Sequence, residues 1–245
     1  MQIILGYLLT PLYYLWFGLA LALFHPIQVL SWHLGGYKAH KKSVGILNYF
    51  LVKGLFLLGA RIRFKGFELL PKDRPLVVVA NHQSIFDIQA FVYGFNAWHP
   101  KFVSKIELGK GIPSISYNLR RSGSALIDRS KGSQAIREIV RLGRYVEAHN
   151  YAVCIYPEGT RSRDGRVKPF QSAGVKSLLK AAPSALLVPF VIEGHSDLMK
   201  KGYFPLLFGQ KLTYRVLPPL EPGKREAEEL VQECELKIKQ ALGQA

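Results

Sequence analysis

The segment Val79-Ala80-Asn81-His82-Gln83-Ser84-Ile85-Phe86-Asp87 carries the side chains best suited to moving a proton. A histidine follows an apolar run, and an aspartate stands five residues on. An imidazole accepts a proton near neutral pH, and a carboxylate on its other nitrogen orients the ring and stabilises the imidazolium that forms. With a helix starting at Ser84, the first turn returns the Asp87 carboxylate toward His82. No serine or cysteine nucleophile is then needed, because a substrate hydroxyl can attack once His82 removes its proton. The structural alternative is a capping box, in which Ser84 and Asp87 satisfy amides at the helix start. A metal site would need further His or Cys ligands nearby, and none is expected.

A second constellation, Tyr156-Pro157-Glu158-Gly159-Thr160-Arg161-Ser162, also follows an apolar run. Gly159 permits a turn whose amides can approach an anion, Thr160 offers a hydroxyl, and Arg161 supplies a planar fork matched to phosphate oxygens. Two smaller basic sites, Ser104-Lys105-Ile106-Glu107-Leu108 and Gly123-Ser124-Ala125-Leu126-Ile127-Asp128-Arg129, sit at similar places. Singly, Lys105 and Arg129 read as solvated surface charges. Their interest lies in the conjunction.

Such residues need a scaffold that gathers them. After Arg61 the sequence alternates short apolar runs with amphipathic stretches, the pattern of an α/β fold. Strands are expected over Arg61–Phe67, Leu76–Ala80, Lys101–Ser104, Ser124–Ile127, Ala152–Tyr156, Leu186–Ile192 and Leu212–Leu217. Helices are expected over Ser84–Phe95, Gln134–Ala148, Ser172–Ala181 and Arg225–Leu242. Val77-Val78-Val79 is a run suited to burial on both faces of a sheet. Strand ends in such sheets are where ligand sites collect. No internal repeat or low-complexity linker divides residues 61–245.

Residues 1–60 differ in character. Met1 to Gly36 holds no Asp, Glu, Lys or Arg, and Ile3–Leu30 is almost continuously apolar, long enough for a hydrocarbon core that takes roughly 20 residues. Pro11 and Pro26 are candidate bends or helix ends. The alternatives are a cleaved signal peptide, with Ala20-Leu21-Ala22 as a cleavage-like site, and a buried hairpin of a soluble protein. A second apolar stretch, Val44–Ala60, has basic flanks on both sides. It is therefore expected to lie in the membrane interface, with Lys53 among headgroups and Leu51, Leu55, Phe56 and Leu58 facing acyl chains.

Across the 245 residues, 33 Lys and Arg against 17 Asp and Glu give a formal charge of +16, which favours a polyanionic partner. Nucleic acid is disfavoured because few aromatics interleave with the basic residues. An anionic membrane surface is the expected partner. The two cysteines, Cys154 and Cys234, suggest neither a disulfide framework nor a zinc site.

In order and spacing, these residues resemble the glycerolipid acyltransferase family, most closely its 1-acyl-glycerol-3-phosphate acyltransferases. Asn81-His82-Gln83-Ser84 with Asp87 resembles the first motif of that family, Gly123–Arg129 the second, Glu158–Ser162 the third and Val188-Pro189-Phe190-Val191-Ile192 the fourth. The likeness covers Leu76–Ile192 strongly and the apolar N-terminus in character only. Phe190 is bulkier than the residues common there. The resemblance implies a single sheet-and-helix α/β acyltransferase domain over residues 61–245, behind membrane-associated helices over 1–60. It implies His82 as general base, Asp87 as its partner, and Arg129, Glu158, Gly159, Thr160, Arg161 and Lys105 around the glycerol-phosphate acceptor. The implied reaction moves a fatty acyl group from acyl-CoA or acyl carrier protein to lysophosphatidic acid, with no resident cofactor or metal. Another lysophospholipid, an aminoacyl lipid or glycerol 3-phosphate are alternative acceptors, and a basic membrane-binding module is the non-enzymatic alternative. The expected location is a membrane, with the catalytic domain facing the cytoplasm, at the inner membrane in a bacterium.

Overall fold

The computed structural model describes residues 1–245. Seven strands form one sheet: β1 (Arg61–Lys65), β2 (Leu76–Ala80), β3 (Lys101–Lys105), β4 (Ala125–Ile127), β5 (Ala152–Ile155), β6 (Leu186–Glu193) and β7 (Lys211–Val216). Their spatial order is β1-β7-β6-β2-β5-β3-β4. Strands β2 to β6 all run parallel, whereas β7 lies antiparallel to β6 and carries β1 parallel to itself. The ends of β2, β3, β4, β5 and β6 therefore emerge along one edge.

Successive side chains of a strand point to opposite faces, so the apolar runs feed two cores at once. Val78 of β2, Cys154 of β5 and Phe190 of β6 join a layer with Phe91 of helix α2 (Asp87–Gly94). Val77, Val79, Val153 and Ile155 face the opposite layer, made by α4 (Gly132–His149), α5 (Ser172–Ala181) and α7 (Ala227–Ala241). Phe190 is fully buried and packs edge-on against Phe91 and Phe95, so its bulk fills the core.

Every expected strand is present with bounds shifted by at most two residues, and three of the expected helices agree equally well. The fourth does not begin at Ser84. Helix α2 starts at Asp87, because Asp87 Oδ2 accepts the amides of Gln83 and Ser84 while Ser84 Oγ accepts the amide of Phe86, which stabilises an open turn over 81–86. Two short helices, α3 (Ile115–Arg121) and α6 (His195–Leu198), lie where the sequence carried no clear periodicity.

The N-terminal segment is α1 (Gln2–Gly54), broken at Gly36, whose φ of 60° and ψ of −155° reverse the chain into a helical hairpin. Pro11 and Pro26 neither end nor replace a helix. Contacts on both sides hold the helix through them: Thr10 Oγ1 accepts the amide of Leu206 at 2.9 Å, and Ser114 Oγ donates to the carbonyl of Leu21 at 2.7 Å. The first arm is thus fastened along the flank of the α/β unit. A side chain on Gly54 would collide with the Trp16 indole at 2.5 Å, so glycine lets the two arms close.

The second arm turns opposite to expectation. Leu51, Leu55 and Leu58 face inward, and Leu55 and Leu58 belong to the main core. Of the four residues expected to face lipid only Phe56 is exposed, with the Lys53 ammonium 5.0 Å from its ring centre. The reason is that the arm packs on α2 and on the first arm, which claim its most apolar stripe. The outward surface is apolar too. Leu8, Leu12, Leu15, Leu19, Leu23, Ile27 and Leu30 form an exposed run, and Ile46, Phe50 and Leu57 of the second arm are exposed as well. An uncovered apolar face of this extent marks a surface made for lipid or protein.

Candidate active site

His82 stands two residues beyond β2, at the edge where the five parallel strands end. The adjoining residues lock it there. Asn81 makes a paired amide contact with β6, donating to the Ile192 carbonyl at 2.7 Å and accepting the Ile192 amide at 2.8 Å. The backbone N–H of His82 donates to Glu158 Oε1 at 2.8 Å, and its carbonyl accepts the amide of Ser162 at 2.7 Å. The turn after β5 therefore grips both backbone groups of His82. Tyr156 stacks on the imidazole with ring centres 4.1 Å apart and planes 20° from parallel.

The Asp87 carboxylate is fully buried, and its Oδ2 lies 2.8 Å from His82 Nδ1. The same oxygen accepts the amides of Gln83 at 2.7 Å and Ser84 at 3.0 Å. One oxygen thus pairs with the imidazole and also holds the turn before α2, whereas the helix itself has no side-chain cap. The His82 side chain keeps 18% of its surface exposed, and no protein group hydrogen-bonds its Nε2. That nitrogen is positioned to take a proton from a hydroxyl arriving at the strand ends.

Glu158, expected among the residues around the glycerol-phosphate acceptor, is engaged with the backbone of the site. Its carboxylate turns inward, with Oε1 on the His82 amide and Oε2 accepting the Lys168 amide at 3.3 Å. An acceptor-only anion has no donor for a phosphate oxygen, so the geometry makes Glu158 a brace for His82. Burial pushes its carboxyl up to about 6, against the opposing pull of those two amides. Gly159 closes the turn at φ 69°, donating its N–H to the Tyr156 carbonyl at 3.1 Å.

The cations gather around this turn. Arg161 Nη1 donates to the Tyr203 hydroxyl at 2.8 Å, and Arg129, exposed beyond β4, donates to the Gly159 carbonyl. Lys168, which the sequence reading passed over, reaches the Arg161 carbonyl at 3.1 Å. Thr160 is exposed on the same turn. Lys105 is exposed at the end of β3 and makes no ion pair or hydrogen bond through its ammonium, so it shares the edge without touching the turn. The sequence also carried no sign of His195 or Tyr214, which lie behind Asp87; both sit more than 100 residues beyond it, one opening α6 and the other within β7.

A cysteine nucleophile is not available. Cys154 is fully buried, and burial pushes its thiol far above the ordinary range. Asp87 lies between the rings of His82 and His195 with one oxygen toward each, and no group of three His, Cys, Asp or Glu side chains is arranged as a set of metal ligands.

The acyltransferase family model matches residues 61–193, more than half of the chain. The chain belongs to the acyltransferase family. Every site residue expected from sequence falls inside that acyltransferase match. Human 1-acyl-sn-glycerol-3-phosphate acyltransferase alpha is 26% identical over 189 residues, covering 73% of this chain and 62% of the human protein. This acyltransferase chain thus matches under two thirds of the human relative's length. A 1-acyl-sn-glycerol-3-phosphate acyltransferase of Limnanthes douglasii is 28% identical over 211 residues, covering 83% of this chain and 67% of the plant protein. The crystal structure of the 1-acyl-sn-glycerophosphate acyltransferase PlsC from Thermotoga maritima aligns with a TM-score of 0.80 at 26% identity, covering 99% of this chain and 97% of that one. The acyltransferase likeness in that structure therefore takes in the N-terminal hairpin as well as the sheet.

Proposed function

We propose that this chain transfers a fatty acyl group from an acyl thioester, acyl-CoA or acyl carrier protein, to the free sn-2 hydroxyl of 1-acylglycerol 3-phosphate, yielding phosphatidic acid. The observation that carries this reading is the His82–Asp87 pair at 2.8 Å, with Nε2 of His82 open at the sheet edge. The names of the relatives support the choice of acceptor.

In the proposed reaction His82 Nε2 takes the proton of the acceptor hydroxyl as its oxygen attacks the thioester carbonyl. The C–O bond forms, the tetrahedral oxyanion collapses, the C–S bond breaks, and the leaving thiolate takes the proton back from the imidazolium. Asp87 Oδ2 holds the Nδ1 proton throughout. The acceptor phosphate docks on Arg161, with Arg129, Lys168 and Lys105 adding positive potential.

The route of the lipid follows from Tyr203. Its hydroxyl meets Arg161, and its carbonyl accepts the hydroxyl of Tyr14 on the first arm of α1 at 2.5 Å. The phosphate site and the apolar hairpin are thus neighbours, so a single-chain lipid can keep its tail along the hairpin while its headgroup reaches His82. On this reading residues 1–60 lie in one leaflet, parallel to the membrane plane, with the basic domain on an anionic, cytoplasmic surface.

The deciding experiment measures thiol release from a long-chain acyl-CoA by detergent-purified protein, with and without lysophosphatidic acid. Release that depends on the lysolipid and disappears in His82→Ala is the expected result. Equal release with an acceptor lacking the phosphomonoester would defeat the phosphate assignment.

A further inference from the structure

His195 opens α6, just beyond β6, and none of its surface is exposed. Its Nδ1 lies 3.2 Å from Oδ1 of Asp87, the carboxylate oxygen that His82 does not use. Its Nε2 meets the hydroxyl of Tyr214 on β7. Asp87 Oδ1 and His195 Nδ1 make no well-formed hydrogen bond, to each other or to any other group, so the 3.2 Å approach between them is a close polar contact of two buried atoms. Leaving a buried polar atom without a complementary neighbour is costly, which favours the tautomer that sets a donor toward the carboxylate.

Only one neutral tautomer does so. Burial holds the Tyr214 phenol well above its ordinary range, so its O–H remains available to donate to Nε2. The ring proton then resides on Nδ1, on the side that faces Asp87. The other tautomer would set the Nδ1 lone pair against an anionic oxygen. Burial also lowers the tendency of this ring to take a second proton, which keeps it a neutral donor.

The backbone supports the same relay. Gln83 Oε1 accepts the amide of His195 at 3.1 Å, so the turn bearing His82 and the loop bearing His195 are fastened together.

We infer that His195 is a positioning residue for the acyl transfer proposed above: through Oδ1 it sets the plane of the Asp87 carboxylate and so aims Oδ2 at the His82 ring. The inference rests on that acyl-transfer reading for its kinetic consequence, but not for its structural one. The amides of Gln83 and Ser84 and the His82 ring all hold Oδ2, which leaves His195 as the polar group facing Oδ1.

The test compares His195→Leu, His195→Asn and Tyr214→Phe in the full-length protein. Asparagine places its amide N–H near the Nδ1 position, whereas leucine offers no donor. In His195→Leu, kcat should fall about tenfold or more with the acceptor KM unchanged, and the low-field imidazole proton of the His82–Asp87 pair, assigned by its loss in His82→Gln, should broaden or move. His195→Asn should restore both. Equal loss in the leucine and asparagine variants, or an unmoved proton resonance in His195→Leu, overturns the inference. Should His195→Leu fail to fold, Tyr214→Phe decides: a severalfold loss of kcat at constant KM supports the relay, and a wild-type kcat overturns it. If the proton resonance responds as expected while wild-type protein shows no lysolipid-dependent transfer, the positioning role stands and the acyl-transfer reading falls.

Discussion

Oδ2 of Asp87 lies 2.8 Å from Nδ1 of His82 while also accepting the amides of Gln83 and Ser84. The oxygen that orients the imidazole therefore also shapes the turn carrying it. Chemistry and local folding converge on one atom, and substitutions at the two residues should separate them.

His82→Ala removes the proton acceptor without orphaning a buried anion's amide partners. Turnover should fall by about 10²–10⁴, the usual range for a positioned base, with the thermal midpoint within a few degrees of wild type. Asp87→Ala should lower both turnover and stability, because two buried amides lose their acceptor at roughly 1–3 kcal/mol each. Steady-state kinetics beside thermal melts would expose a wrong assignment if His82→Ala melted as early as Asp87→Ala.

Arg161→Ala should raise the KM for lysophosphatidic acid about tenfold or more and leave the thioester KM unchanged, since a charge-assisted hydrogen bond contributes about 1.5–3 kcal/mol. Arg161→Lys should recover only part of the loss, because an ammonium cannot present two parallel donors. A rise confined to the thioester KM would place Arg161 on the donor side.

Glu158 gives a pH prediction with a definite sign. Its folded carboxyl is raised from 4.5 to about 6, so between those values the folded state holds a proton that the unfolded chain has released. The contribution of this group is fully present below pH 4.5 and lost as pH rises through about 6. Glu158→Gln lacks that slope. The melting difference, variant minus wild type, should climb across the window and then level off; a difference that stays flat with pH refutes the buried-carboxylate reading.

The exposed face of α1 predicts membrane association. Leu15→Glu, at a position 59% exposed, should leave the fold intact and weaken sedimentation with anionic vesicles, since it removes apolar area worth about 1.5–3 kcal/mol and adds a like-signed charge. Raising salt should weaken binding further. Unchanged sedimentation would move the lipid contact elsewhere.

Much of this was legible from the chain. The valines of β2 and the apolar run of β5 announce strands buried on both faces, because a parallel sheet covered by helices demands apolar side chains in both directions. The five-residue spacing of His82 and Asp87 announced their pairing, because only local backbone lies between them. The direction of the second hairpin arm was not legible. Leu51, Leu55 and Leu58 are as apolar as the neighbours that face outward, and only the packing of α2 and the first arm selects which stripe is buried.

The same limit applies to the site. Local sequence determined the seven strands, the turn chemistry around Gly159 and the two strand-end motifs, since each depends on periodicity or on residues a few positions apart. Tertiary structure alone decided that Glu158 faces His82 across 76 positions and that Lys168 flanks Arg161. It alone placed His195 and Tyr214 behind Asp87. Those contacts depend on which strands become neighbours, and the order β6-β2-β5 is settled by the packing of two whole layers, not by any signal within one segment.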